Sequence, residues 1–270
     1  MQIGRYTVRA HNHGFFRLDG GAMFGAVPKT MWSRVAPADD ANRILMATRS
    51  LVIEEGPRRM LVDIGCGDKW SEKTRAIFEF PATPYEPVAG VTDVLITHFH
   101  FDHAGGISRL EGKTAVPNYP DAVHHVSRAN LENARHPNVR ERASYLAENL
   151  DVLEAVDHRL LEDGNEVLPG ITVHRSDGHT RGLHWVKVTD GGQTLAYPTD
   201  LIPTSHHLPI PYPMGYDMCA QTVMEERACF LQAAVAGNWV VVFEHDPEVG
   251  ATRLEFDERG RARVAERLDL

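Results

Sequence analysis

Apolar residues recur along this chain in short runs bounded by Gly, Pro, Asn or Asp, the pattern of a sheet protein with intervening helices. Arg43–Ile53 reads as a strand or bent strand pair, Glu55-Gly56-Pro57-Arg58 as a turn, and Arg59–Ile64 as the hairpin partner. Gly65-Cys66-Gly67 then punctuates a loop. Asp68 is placed to cap a helix reaching about Phe80, and Pro81 stops it. Val91–Ile96 reads as a buried strand, and so does Ala122–Val126, after which Ser127 caps a polar helix ending near Arg135. Val139 to about Asn149 reads as a second, exposed helix with more charge than apolar surface. Arg159–Leu161, Glu166–Leu168, Ile171–His174 and Leu183–Val188 return to strands, and Asp190-Gly191-Gly192-Gln193 makes a hairpin turn into Thr194–Tyr197. Met218 to about Ala236 has a helical period, with Val223, Phe230 and Leu231 near one face. Asn238–Phe243 is then a buried strand running into Glu244-His245-Asp246. Two sheets are implied. No long period repeats, and Pro203–Pro213, with its four prolines, is a stiff irregular loop rather than a linker.

With 270 residues, 43% of them hydrophobic, the chain can bury a sizeable core, and one domain over residues 1–270 is expected. The net charge of −9, with both signs interspersed, offers no basic face to a nucleic acid. No run approaches the ~20 apolar residues that a membrane span needs. Cys66, Cys219 and Cys229 are scattered, giving neither a disulfide framework nor a thiolate metal site. Together with an N-terminal Met1–Tyr6 that lacks a signal-like apolar stretch, this sets the expectation of a cytoplasmic chain acting on a small molecule. A homodimer is an allowed assembly.

The most informative segment follows the Val91–Ile96 strand. His98-Phe99-His100-Phe101-Asp102-His103 packs three imidazoles and a carboxylate into six positions and ends on Ala104-Gly105-Gly106. In an extended segment side chains alternate, so His98 and His100 point the same way while the adjacent Asp102 and His103 diverge from them. Two metal positions are therefore expected. Imidazole and carboxylate donors suit zinc first, with iron, manganese or cobalt compatible. Two ions need more donors, and the strand ends supply His179 in a Gly-flanked loop, Asp200 after Tyr197-Pro198-Thr199, and His245 after Phe243-Glu244.

This ordered set, H-x-H-x-D-H, then a lone His, an Asp and a final His, resembles the metallo-β-lactamase superfamily. The resemblance implies an α/β fold, a four-layer αββα sandwich with two divalent metal ions at one edge. It implies that His98, His100 and His179 hold one ion, that Asp102, His103 and His245 hold the other, and that Asp200 bridges them. Asp63 matches the acid that orients a metal-bound imidazole. The function implied is hydrolysis by a metal-bridging hydroxide, whose pKa two cations roughly 3.5–4 Å apart would bring from 15.7 toward about 7. Asp102 is the expected proton acceptor as well as a ligand.

Within the superfamily, Phe24-Gly25-Ala26-Val27-Pro28-Lys29 is similar to the lid of the lactonase and organophosphate-hydrolase branch. Met23, Phe24 and Trp32 are accordingly expected at a hairpin tip over the substrate, with His206 or His207 beside it. The substrate class is a small ester, lactone or phosphotriester. The tyrosine expected three positions after the bridging Asp is replaced by Pro203, which Tyr212 or Tyr216 could offset sterically. Alternatives are a glyoxalase-II-like thioester hydrolase, which lacks an evident basic glutathione-binding helix here, and a mononuclear-iron persulfide-type dioxygenase, which leaves His103 and His245 unused.

Overall fold

A computed structural model describes residues 1–270. Its strands are β1 (Gln2–Ile3), β2 (Tyr6–Asp19), β3 (Arg43–Glu55), β4 (Arg58–Val62), β5 (Asp93–Ile96), β6 (Ser108–Glu111), β7 (Thr114–Pro117), β8 (Val123–Ser127) and β9 (His158–Leu161). The second half adds β10 (Glu166–Leu168), β11 (Ile171–Ser176), β12 (Leu183–Asp190), β13 (Gln193–Tyr197), β14 (Val240–Val242), β15 (Ala251–Phe256) and β16 (Ala262–Leu268). Two seven-stranded sheets form, ordered β1-β2-β3-β4-β5-β8-β9 and β10 through β16 in sequence, with β6 and β7 pairing separately.

Strand alternation assigns each side chain to a layer. Leu51, Ile53, Met60, Val62 and Leu95 from the first sheet meet Val186, Leu195, Tyr197, Val240 and Val242 from the second in one core. Their neighbours Val52, Leu61, Val94 and Ile96 face the other way, onto helix α5 (Arg128–Arg135) and the segment around Leu153. On the outer face of the second sheet, Ala196 and Val241 pack against Val223, Phe230 and Leu231 of helix α7 (Ala220–Ala236). Helix, sheet, sheet, helix is the four-layer sandwich expected. Among the shorter helices are α1 (Gly20–Phe24), α2 (Lys29–Trp32), α3 (Glu72–Phe78), α4 (Phe101–Ala104) and α6 (Ala147–Asp151). None is long and apolar enough to cross a membrane.

Several elements depart from the sequence expectation. The helix expected from Asp68 starts at Glu72, because Ser71 accepts the Thr74 amide at 3.1 Å while Asp68 is engaged by the Tyr85 amide at 3.0 Å. The helix expected over 139–149 is broken into a short turn at Arg142–Ser144 and α6. Glu141 and Tyr145 turn inward there to bond Thr180, which a continuous exposed helix would forbid. Strand β2 and the C-terminal hairpin β15–β16 went unassigned in the sequence. β2 runs fourteen residues with an irregular register at Asn12/Phe15, and its many polar side chains hide the period.

Candidate metal centre

The first donors leave the carboxyl end of β5, which lies parallel between β4 and β8. Asp63, in left-handed backbone at φ 55°, takes both the Thr97 amide at 2.9 Å and the Thr97 hydroxyl at 2.8 Å. Phe99 donates its amide to Asn130 Oδ1 at 2.8 Å, pinning the loop to α5. His100 then caps α4, so the chain passes from extended to helical and swings Asp102 and His103 to a new direction. The glycines that follow are required by close approach: a Cβ on Gly105 would meet the Cys66 carbonyl oxygen at 2.1 Å, and one on Gly106 would meet that of Ile64 at 2.2 Å. The second sheet answers with His179 between β11 and β12, Asp200 after β13 and His245 after β14. Thr199, a β-branched residue at φ 49°, makes the sharp turn that aims Asp200 inward.

The seven donors converge, all buried. His98, His100, His179 and Asp200 form one group whose donor atoms lie within 4.8 Å of one another, and Asp102, His103 and His245 form a second. Asp200 faces both, with Oδ2 at 3.1 Å from His179 Nε2 and 3.3 Å from His103 Nε2, and Oδ1 at 3.3 Å from His245 Nε2.

The outer ring nitrogens are nearly all held from behind. His179 Nδ1 meets Asp217 at 2.9 Å, His245 Nδ1 meets the Ala47 carbonyl at 2.8 Å, and His103 Nδ1 meets Asp63 at 3.1 Å. His103 Nδ1 also lies 2.9 Å from Glu244 Oε2 without a hydrogen bond, so Asp63 holds this ring on the side away from the other donors and Glu244 adds negative charge there. His100 Nε2 points toward Glu141 at 3.9 Å. Donating one N–H outward leaves a bare lone pair inward. His103 Nε2 and His245 Nε2 thus face each other at 3.3 Å, and His179 Nε2 faces His100 Nδ1 at 3.1 Å. Two lone pairs at that separation repel unless a cation lies between. His98 Nε2 and Asp200 Oδ1, both buried, have no hydrogen-bond partner. The donor set therefore fits divalent metal.

The protonation chemistry expresses the same demand. Burial alone would keep His103 neutral, yet Glu244 and Asp200 outweigh it and hold the ring well above its ordinary range. His179 and His245 likewise overcome burial through Asp200 and rise to about 10 and about 9. Burial pushes Glu244 up to about 7 against the pull of His103.

Above the donors lies a cleft of about 250 Å³. Leu18, Met23, Phe78, Phe101, Met214 and Met218 make its apolar side, and Arg140, Glu141 and Tyr216 its polar side. Of the residues expected around the substrate, Met23 lines this cleft. The expected hairpin tip is instead two short helices packed inward: Phe24 and Trp32 are buried and stacked at 5.5 Å, behind the cleft wall. His207 is also buried, stacked on Phe24 at 4.8 Å and bonded to Thr204 and the Met23 carbonyl, so it supports the wall rather than facing substrate. His206 is half-buried and lines a different depression near Val264. Tyr216 stands in the cleft, whereas Tyr212 packs edge-on to Phe24.

Glu141, Asp217 and Glu244 escaped the sequence reading. Glu141 lay in a segment read as an exposed helix, and Asp217 in an irregular loop with no period to mark it. Glu244 did carry a signal, an acid directly after an apolar strand and beside a donor histidine.

Known proteins share this architecture. An N-acyl homoserine lactonase from a Bacillus species is 32% identical over 114 residues, 42% of this chain and 39% of that protein, so the matched stretch spans about two fifths of the relative. A probable metal-dependent hydrolase from Staphylococcus aureus superposes with a TM-score of 0.87 at 27% identity, over 99% of this chain and all of the other. The dizinc quorum-quenching lactonase AidC, solved with its product N-hexanoyl-homoserine, superposes at 0.78 over 100% of this chain and 97% of its own, at 17% identity. Residues 44–245, which run from β3 to the last donor histidine, match the family described as Metallo-beta-lactamase superfamily, and the chain belongs to that superfamily.

Proposed function

We propose that the chain, working as one domain, is a metal-dependent hydrolase holding two divalent ions, zinc first among them, and that it opens small lactones or esters bearing an apolar arm. The observation that carries this reading is the facing of bare imidazole nitrogens around Asp200, at the floor of a cleft with one apolar side. His98, His100 and His179 would hold one ion, Asp102, His103 and His245 the other, with Asp200 shared. When bound, such ions lower the pKa of water toward about 7 and polarise a carbonyl oxygen. Asp102, whose Oδ2 lies 3.7 Å from His245 Nε2, would take the proton of the attacking water and return it to the leaving oxygen. Tyr216, whose side chain lines the cleft, keeps its hydroxyl proton at neutral pH and would donate it to a carbonyl oxygen there. The apolar side, from Leu18 to Met218, would take an acyl chain. The names of the Bacillus relatives and of AidC as lactonases support the lactone class.

The test is metal content by mass spectrometry on the purified protein, then a panel of lactones, aryl esters, thioesters and phosphotriesters before and after chelation. Two ions per chain, preference for lactones or esters, and loss of turnover on chelation are expected. Full turnover in metal-free protein would sink the reading, one iron per chain would replace it with an oxygenase, and preference for thioesters would move the substrate class.

A further inference from the structure

The two donor groups are held from behind by different parts of the molecule. For His103 and His245 the outer nitrogens bond Asp63, which follows β4 and is locked by Thr97 after β5, and the backbone of β3. His179 Nδ1 bonds Asp217, and the anion nearest the unpartnered His100 Nε2 is Glu141, 3.9 Å away and short of a hydrogen bond; both acids sit on irregular segments that also form the cleft wall. These two segments meet across the cleft: Arg140 donates to the Gly215 carbonyl, and Asn138 Nδ2 lies 3.5 Å from Met218 Sδ. Tyr145 adds a second tie, its ring 5.0 Å from that of His100 and its hydroxyl 2.8 Å from Thr180. Glu141 is itself held by Asn133, Asn138 and Thr180, so its carboxylate cannot follow His100 without moving the wall.

We propose that Glu141 and Asp217 are positioning residues for one metal subsite alone, that of His98, His100 and His179, and that they tie its ion to the cleft wall. The other subsite is tied to the sheets. The inference rests on the two-ion reading above and concerns what distinguishes the two positions. An imidazole that loses its outer acceptor rotates more freely and binds metal less well, by about 10–100-fold. Glu141→Gln is the discriminating change, because the amide keeps the acceptor for Asn133 and Asn138 while removing the negative charge that faces His100 Nε2. Asp217→Ala removes the acceptor from His179.

The experiment titrates zinc from buffers of fixed free concentration and counts ions per chain, with the cobalt-substituted absorption spectrum as a second readout. Wild type is expected to hold two ions. Glu141→Gln and Asp217→Ala are expected to lower the affinity for one ion by about 10–100-fold and leave the second unchanged. In a His245→Ala background, which keeps the other ion, Glu141→Gln is expected to release it, whereas in a His179→Ala background the retained ion is expected to be indifferent. Arg140→Ala, which touches no donor, is expected to weaken the same ion by a smaller factor and to alter the cobalt spectrum. A wild type holding fewer than two ions would sink the two-ion reading itself. Two ions in wild type, with Glu141→Gln and Asp217→Ala affecting neither or both equally, would overturn this inference and leave that reading standing; an Arg140→Ala variant with unchanged affinity and spectrum would overturn the tie to the wall. If Asp217→Ala fails to fold, Glu141→Gln in the two backgrounds decides the matter alone.

Discussion

The donor cluster and the cleft above it are neighbours built on opposite principles. The donors sit at the ends of β5, β13 and β14, in the loop between β11 and β12, and on the turn of α4, and most are gripped on the far side by a second group. The wall is irregular backbone from about 138 to 146 and from 201 to 219, held by side chains reaching in from elsewhere. The first arrangement fixes the orientation of each gripped ring, as a metal site requires. The second can be altered piece by piece without disturbing the sheets, which suits the part of a hydrolase that chooses substrate.

The harshest way to break the comparison is to remove Asp200, the carboxylate whose oxygens face histidines of both groups. In Asp200→Ala the bare nitrogens of His179, His103 and His245 lose their common counter-charge. Metal content is expected to fall to one ion or none, and turnover to fall by more than the roughly 10–100-fold expected when only an outer partner is lost. Inductively coupled plasma analysis beside a rate assay checks it. Two tightly held ions in the variant would show that Asp200 is not shared.

A middle-sized effect separates wall from centre. Arg227 is buried inside α7 and donates to the carbonyls of Leu201 at 3.1 Å and Tyr212 at 2.9 Å, fastening both ends of the proline-rich stretch. Burial pushes its pKa down to about 10, so it stays charged at neutral pH. Arg227→Met keeps the apolar stem but leaves those carbonyls without a donor, a loss of about 1–3 kcal/mol. A lower urea midpoint is expected, with KM rising more than kcat falls and both ions retained at saturating zinc. If kcat alone fell, the stretch would be serving the donors rather than the cleft.

How much of this was legible follows the same division. The spacing His98-x-His100-x-Asp102-His103 marks a metal site because alternation, then a turn, places four donors from one short run, and Gly105-Gly106 marks the tight approach to the Cys66 loop. Strands such as Leu51–Ile53 and Met60–Val62, which feed two cores by turns, were readable from apolar runs. The wall was not. Met23, Phe24 and Trp32 looked exposed because the surrounding glycines suggested a loop, and the groups that bury Phe24 include His207 and Tyr212, far along the chain. Glu141 and Asp217 likewise take their meaning from histidines distant in sequence, and no local period reports such a contact.

The smallest effect probes the support behind the wall. His207 stacks on Phe24 and is fully buried, and burial depresses its pKa from 6.5 to about 3. At neutral pH, His207→Gln should lose the ring contact, about 0.5–1.5 kcal/mol. Acidification changes the picture. Well above pH 6.5 the ring is neutral in both folded and unfolded chains and contributes no pH dependence. As pH falls from 6.5 toward 3, the unfolded chain binds a proton at this ring that the folded chain refuses, so wild-type stability declines through that window. His13, His124 and His184, depressed to about 3, 4 and 4 by burial, act in the same sense, but equally in both proteins. The variant should therefore lose stability less steeply on acidification, and its deficit should narrow between pH 7 and pH 4 in urea midpoints measured on metal-free protein. Parallel curves would mean that His207 is hydrated in the folded chain and that the wall behind Phe24 is open.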